Sequence, residues 1–469
     1  MTTTEPDSNA THSIDRDHLP LDLMGKAVFG LIIAYLVMNR AIPDLMVIPI
    51  GISIRPYEVV LLVTTGVWIL WMIADPHPFP RGVVGLSGVL LVSVLLVAPF
   101  LNALNVSKFQ FDAAERGLYR VVIFAGLFLA SYHLAYRLKY GRRLIGVVIG
   151  ITVVQATLGV FEFVTQRPLT FMYDLAQSFG LVFDPNAIRS EVTTVFTRLT
   201  GEIRATGTAP HPIVLSALIA LGILVAGIWL VYAEKRRDRV WLGLALAVLV
   251  IAMPVPNSRT GFVIVGLAAI PLLVLMIKEL PRIIPLILVL SMFMGLAFVI
   301  SPETPRLLLN SVTRSDEDQN TQIRIERFSR VPELLESRPV VGAGYLTHDT
   351  KNVQLFDNAF NMAIIEFGIL GFVLAMWWLL AGLGRSWAGT VRARRDEVVL
   401  TIGGVAAVIA LLAGGSTFDA WTFDQFLPTA LVVLGVAVGR SDVILRRGSA
   451  DGPATLAPGE EIFIELSAT

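Results

Sequence analysis

Residues 211–239 read HPIVLSALIALGILVAGIWLVYAEKRRDR, and this stretch decides the fold. From Ile213 to Val231 the chain is apolar and carries no charge. A helix of about 20 such residues crosses the hydrocarbon core of a bilayer, which is about 30 Å thick. The run stops at Lys235, Arg236, Arg237 and Arg239. A basic stop of this kind marks the cytoplasmic side of a span.

Working outward, comparable apolar segments fall at 22–39, 57–74, 83–101, 118–136, 144–164, 240–253, 260–277, 283–300, 357–383, 398–414 and 426–439. Those at 240–253 and 426–439 are short. The expectation is an all-α polytopic transmembrane helix bundle of about 12 spans, with a large periplasmic loop containing short helices between spans 9 and 10. Composition agrees: the chain is 55% hydrophobic and 16% charged, against about 25% charged in soluble domains. A soluble protein this apolar has no means of solvating its surface. The formal net charge is zero, which gives no case for nucleic acid as a partner. Cysteine is absent, so disulfides, thiol nucleophiles and Cys-based metal sites are excluded. The polar start, with Asp7, Asp15, Arg16 and Asp17, reads as a tail and not as a signal peptide.

Orientation follows from Lys and Arg. With the N-terminus cytoplasmic, twenty of the 37 basic residues fall on inside segments and six on short outside links. The remainder sit in two long links, 165–210 and 301–356, which report weakly on orientation. The expected arrangement is therefore a multi-pass bacterial inner-membrane protein with both termini cytoplasmic. It divides into a tail over 1–21, a membrane domain over 22–440 with outer loops 165–210 and 301–356, and a tail over 441–469.

The second outer link is the more informative. Ile323, Phe328, Val331, Leu334 and Leu335 recur at helical spacing, and Pro339 ends the pattern. Arg324, Arg327 and Arg330 recur every three residues and form one basic ridge. The bland reading is a solvated or headgroup-facing helix surface. The sharper one is an anion site, because the planar fork of Arg donors suits diphosphate oxygens. Gly342-Ala343-Gly344 makes a turn, a polar stretch with His348 and Lys351 follows, and the next span opens at Asp357-Asn358. Asp and Asn are good N-caps, yet a carboxylate here could equally act as a general base.

The first outer link ends in Arg204-Ala-Thr-Gly-Thr-Ala-Pro-His211-Pro212, a shaped turn before a span. Asn257-Ser258-Arg259-Thr260-Gly261 opens another span from the same side. Arg204, Arg259 and the Arg324 ridge thus share the outer face, and a negatively charged ligand would explain that convergence. Elsewhere, Glu162 lies near the outer edge of its span and is expected to reach water. Gly368 and Gly371 are expected to allow close helix packing. Asp419 and Asp424 are expected to be solvated. No metal-binding cluster, phosphate-binding Gly-rich loop or internal repeat is evident.

At these residues the sequence resembles the O-antigen ligase and polymerase family of bacterial envelope glycosyltransferases. Three patterns carry the resemblance: Arg204-Ala-Thr-Gly-Thr with His211-Pro212; Ser258-Arg259-Thr-Gly261; and the run from Arg324 through Pro339-Val-Val-Gly342-Ala-Gly344 to Asp357-Asn358 and Glu366-Phe-Gly368-Ile-Leu-Gly371. The resemblance implies an enzyme that takes glycan from a polyprenyl-diphosphate carrier on the outer face of the inner membrane. It passes the glycan to a lipid-linked or glycan acceptor, with no metal or other cofactor. It further implies that Arg204 and Arg324 contact the diphosphate, with Arg259 in support. A loop residue, Asp357 here, helps to activate the acceptor hydroxyl, with Arg327, Asn358 and His211 nearby as substrate-binding residues. Ligases of this family have His at the place of Asp357, so repeat-unit and exopolysaccharide polymerases are the closer likeness. Two other classes stay open: a secondary transporter or flippase for an anionic substrate, and a non-catalytic membrane scaffold.

Overall fold

The computed structural model describes residues 19–42, 46–49, 53–76, 78–101, 108–136, 138–167, 169, 171–183, 204–300, 326, 328–336, 338–347 and 358–450. The long helices are α1 Leu19–Ala41, α2 Pro56–Ala74, α3 Val83–Leu101, α4 Lys108–Tyr136 and α5 Leu138–Thr165. A short helix, α6 Phe171–Ser178, follows before α7 Pro212–Tyr232, α8 Arg236–Ala252, α9 Thr260–Leu275 and α10 Leu280–Ile300. The last four are α11 Val331–Glu336, α12 Ala359–Arg392, α13 Val398–Thr417 and α14 Phe426–Ala450. Each of the twelve expected segments holds a long helix. Among the described residues, ten helices are long and apolar enough to cross a membrane. The two that are not are α8 and α9, of 17 and 16 residues. The chain is an all-α polytopic bundle.

Burial orders the helices. In α13 and α14, 89% of the spanning window is buried, against 28% in α3 and 6% in the window over Ile277–Leu296. Helices α13 and α14 are therefore the core, and α10 lies at the rim. Small residues explain the tightest crossing: a Cβ on Gly435 or Gly439 of α14 would meet the carbonyl oxygens of Phe128 and Tyr132 on α4. Between membrane-spanning helices, where burial gives no net drive, such small-xxx-small spacing lets backbones approach and gain dispersion.

The two ends of the bundle differ. At one end the basic clusters meet. Arg142 pairs with Asp396, Arg395 with Glu279, and Arg440 and Arg447 both with Glu397. Burial alone would raise the Glu397 pKa, but Arg440 and Arg447 outweigh it and hold the carboxyl below the usual range. Asp442, fully buried, receives Arg385 and the Tyr132 hydroxyl. These pairs carry α14 as packed helix beyond the expected boundary at 440. The segments assigned to one side by charge thus lie together at one end.

The opposite end carries the loops. A three-stranded antiparallel sheet in the order β2-β1-β3 joins Met46–Pro49 (β1) to Ser53–Ile54 (β2) and to Val182–Phe183 (β3). It staples the α1–α2 link to the chain after α6, and it is an addition to the helical expectation.

Candidate functional site at the loop-bearing end

The hub of this end is the link between α13 and α14. Asp424 is 4% exposed. Its carboxylate pairs with Arg55 and with Arg120 (2.9 Å), and it accepts from the Tyr57 hydroxyl at 3.1 Å. Arg120 also reaches Glu58 at 2.8 Å. Glu58 accepts the Arg55 backbone N–H at 2.9 Å and so closes the start of α2. Asp424 was expected to be solvated; it is instead sandwiched by two guanidinium groups under the loops. Desolvating one carboxylate costs several kcal/mol, and only such paired, hydrogen-bonded geometry offsets it. The second carboxylate oxygen of Asp424, Oδ1, has no hydrogen-bond partner among the described residues.

Neighbouring groups extend this hub. Gln425 donates to the carbonyls of Asn39 (2.8 Å) and Thr208 (2.9 Å), and accepts from Gln155 at 2.9 Å. Arg40 donates to the Gln425 carbonyl at 3.0 Å, and Asn39 to that of Asp424 at 3.0 Å. Tyr345 donates to the Trp421 carbonyl at 2.9 Å. The α12 start is tied in as well, since the Ala359 N–H donates to the Phe418 carbonyl at 3.2 Å. The sequence carried one signal of this hub: Arg40, Arg55 and Arg120 all sit at span edges on one side.

The loop before α7 is held from below. Glu162 is fully buried and accepts the backbone N–H groups of Thr206 (2.7 Å) and Gly207 (2.8 Å). Glu162 was expected to reach water; two backbone donors replace it. Held in this way, Arg204 donates to the Asn257 carbonyl at 3.2 Å. His211 caps α7, its Nδ1 accepting from the Ile213 N–H at 3.1 Å. Burial, and then the charge of Arg204, push the His211 pKa down to about 4, so the imidazole is neutral at pH 7. Arg259 is the residue before α9, whose start is pinned by the Gly261 N–H donating to Ser216 Oγ at 3.0 Å. The structure therefore brings Arg204, His211 and the Asn257–Arg259 turn together.

The third pattern is met in part. Arg324, Arg327, His348, Lys351 and Asp357 lie outside the described residues. Arg330, the described member of the ridge, is exposed and pairs with Glu326 at 3.1 Å. Asn358 is an N-cap: its Oδ1 accepts from Phe360 N (2.8 Å) and Asn361 N (3.3 Å). Gly368 is not a simple packing glycine. Its φ of 67° breaks α12, and the loop over 338–344 fills the break. There the N–H groups of Ile369 and Leu370 donate to Pro339 and Val340 carbonyls (2.9 and 3.0 Å), and Gly344 N–H to the Glu366 carbonyl (2.8 Å). Non-helical backbone inside a bundle is tolerated when the protein satisfies its polar groups in this way.

Among the described residues no group of three or more His, Cys, Asp or Glu converges as a metal-binding cluster. No protein-family model matches the chain, and no curated protein matches it.

Proposed function

We propose that the chain is a glycosyltransferase that transfers or polymerises glycan from a polyprenyl-diphosphate carrier at the outer face of the bacterial inner membrane. The observation that carries this reading is the meeting of Arg204, His211 and the Arg259 turn at the loop-bearing end, beside the buried Arg55–Asp424–Arg120 hub. By the resemblance to the O-antigen ligase and polymerase family, Arg204, His211 and Arg259 would belong to one site.

The chemistry needs little more. The acceptor hydroxyl oxygen attacks the anomeric carbon, and the bond from that carbon to the phosphate oxygen breaks. The diphosphate leaves with the electron pair, and the hydroxyl proton passes to a base, for which Asp357 is the candidate. Arg204 and Arg324, with Arg259, would neutralise charge that grows on the diphosphate. Positioned donors of this kind lower the barrier because they need no reorganisation during reaction.

Arg204→Ala and Arg324→Ala are each expected to lose about 2.7–4 kcal/mol of transition-state stabilisation, as a deleted oxyanion donor does. Transfer from carrier-linked glycan, measured in membranes with equal protein levels, checks this; full activity in both variants would sink the reading. Carrier-linked glycan in a knockout then separates the two branches: single repeat units accumulate if the enzyme polymerises, and long chains if it ligates.

One observation favours a second reading, a secondary transporter. Transporters build their sites at discontinuous helices, and α12 is broken at Gly368. Anion flux into proteoliposomes that contain no carrier lipid would support it.

A further inference from the structure

Three links meet at the basic end of the bundle: 233–235 between α7 and α8, 276–279 between α9 and α10, and 393–397 between α12 and α13. Arg395, from the third, ties them together. Its guanidinium pairs with Glu279 at 3.3 Å and with Glu234 at 3.9 Å, and it lies over the Tyr232 ring at 5.7 Å. Glu279 also takes Arg282. The acids of the first two links are thereby engaged. What remains beside them is cationic. Lys235, Arg236 and Lys278 are exposed and make no ion pair among the described residues. The Arg237 side chain is 83% exposed, and it meets Asp238 only at 3.8 Å, where an exposed pair contributes little.

These cations sit at a lipid boundary. Helix α10 packs on α8, and with 6% of the window over Ile277–Leu296 buried the crevice between them opens to lipid. Arg237 and Trp241 are four residues apart and share one face of α8. Trp241 is 67% exposed, and Trp is a residue of the membrane–water interface. On α10, Ile284 and Leu288 are four apart and both exposed. Each helix thus opens on cations and continues in exposed hydrocarbon. A phospholipid has the matching order, with phosphate outside and acyl chains inside. Basic pockets between spanning helices attract anionic headgroups in this way. Net charge makes the selection: a zwitterionic headgroup brings its own ammonium, which the surplus of Lys and Arg repels.

We infer that the crevice between the first turns of α8 and α10 binds an anionic phospholipid of the adjoining leaflet, its phosphate on Arg237 and Lys278 and its chains along Trp241 and Ile284. The Arg395 ion pairs form the floor of the site, because they fix the links that carry Lys235 and Lys278. The site lies at the end of the bundle opposite Arg204 and the Asp424 hub, and it is independent of the transfer reading.

The test uses the full chain purified in a neutral maltoside detergent. Phosphatidylglycerol, or phosphatidylcholine with the same acyl chains, is titrated in, and bound lipid is counted by native mass spectrometry. Phosphatidylglycerol is expected to bind about tenfold more tightly. Arg237→Gln and Lys278→Gln should each cut that preference by about threefold, and the double variant should abolish it. Arg81→Gln, which removes an exposed cation of the α2–α3 link at the same end, should leave it unchanged. Inorganic phosphate at the same concentration should not displace the lipid, since it has no chains to seat on Trp241. The substituted positions are exposed, and melting temperatures in lipid-free detergent are expected to match the parent. Equal retention of phosphatidylcholine, loss by Arg237→Gln and Lys278→Gln no greater than by Arg81→Gln, or displacement by inorganic phosphate would each overturn the inference. None of these results touches the transfer reading, which stands or falls on glycan transfer by the Arg204 and Arg324 variants.

Discussion

Asp424 shows what a single side chain does at the loop-bearing end. It is buried, and it faces Arg55, Arg120 and Tyr57. Asp424→Asn removes the charge but keeps the volume, leaving two guanidinium groups without their shared counter-ion. Breaking a buried pair in this way costs about 3–5 kcal/mol. A matching fall in thermal stability in detergent is expected, and a variant as stable as the parent would contradict the network. His211 provides a pH test. Its folded pKa is pushed down to about 4 by burial and by Arg204, whereas an unfolded His titrates near about 6.5. Below the unfolded value the unfolded chain binds the extra proton first. The stabilisation from neutral His211 is therefore complete above about pH 6.5 and is lost as pH falls through about 4. His211→Asn keeps a good helix cap and should flatten this acid limb in melting curves taken across that window.

At the scale of elements, the break in α12 and the loop that fills it form one unit. Gly342 and Gly368 both have positive φ, 63° and 67°. A Cβ on Gly342 would strike the Glu366 carbonyl oxygen, and one on Gly368 the Val340 carbonyl oxygen. For a residue with a Cβ, left-handed backbone alone costs about 1–2 kcal/mol, and the clash adds to that. Gly342→Ala and Gly368→Ala should each destabilise the protein and speed hydrogen exchange at Gly344, Ile369 and Leu370. Gly227→Ala, where a Cβ meets nothing within 4 Å, is the neutral control. Unchanged exchange at those amides would mean that the loop does not depend on the glycine pair. The docked loop also explains how Tyr345 reaches Trp421, so this element sets one wall of the hub and lines an apolar cavity of about 430 Å³ between α3, α4, α12, α13 and α14.

Across the whole molecule, charge sorts the two ends. The clusters around Arg142, Arg237, Arg395 and Arg440 gather at one end, and the loops and the hub at the other. By the positive-inside rule the basic end is expected to face the cytoplasm. Because the chain has no cysteine, single Cys substitutions read the topology directly. In intact spheroplasts, Phe179→Cys, whose side chain is 77% exposed beside α6, should react with a membrane-impermeant maleimide. Arg237→Cys should react only after permeabilisation. The reverse pattern would invert the protein and move the site to the cytoplasmic face.

The class of fold follows from the residue pattern alone, because an apolar run long enough to cross a bilayer has one stable backbone solution, the helix. It also determined which segments share a side, since Lys and Arg density is a local property. Arg204 and Arg259 were legible as sharing a face with the Arg324 ridge, whose first two members lie outside the described residues, because shaped turns and basic residues at span edges are local signals too. That Asp424 and Glu162 are buried, that Gly368 breaks a helix, and that five helices leave an apolar cavity between them emerges only once the helices pack. Each depends on partners far along the chain: Arg55 and Arg120 for Asp424, Thr206 and Gly207 for Glu162, and the loop from Arg338 for Gly368. Whether a charge is solvated or paired is a matter of what folds over it, and spacing along one segment does not carry that information.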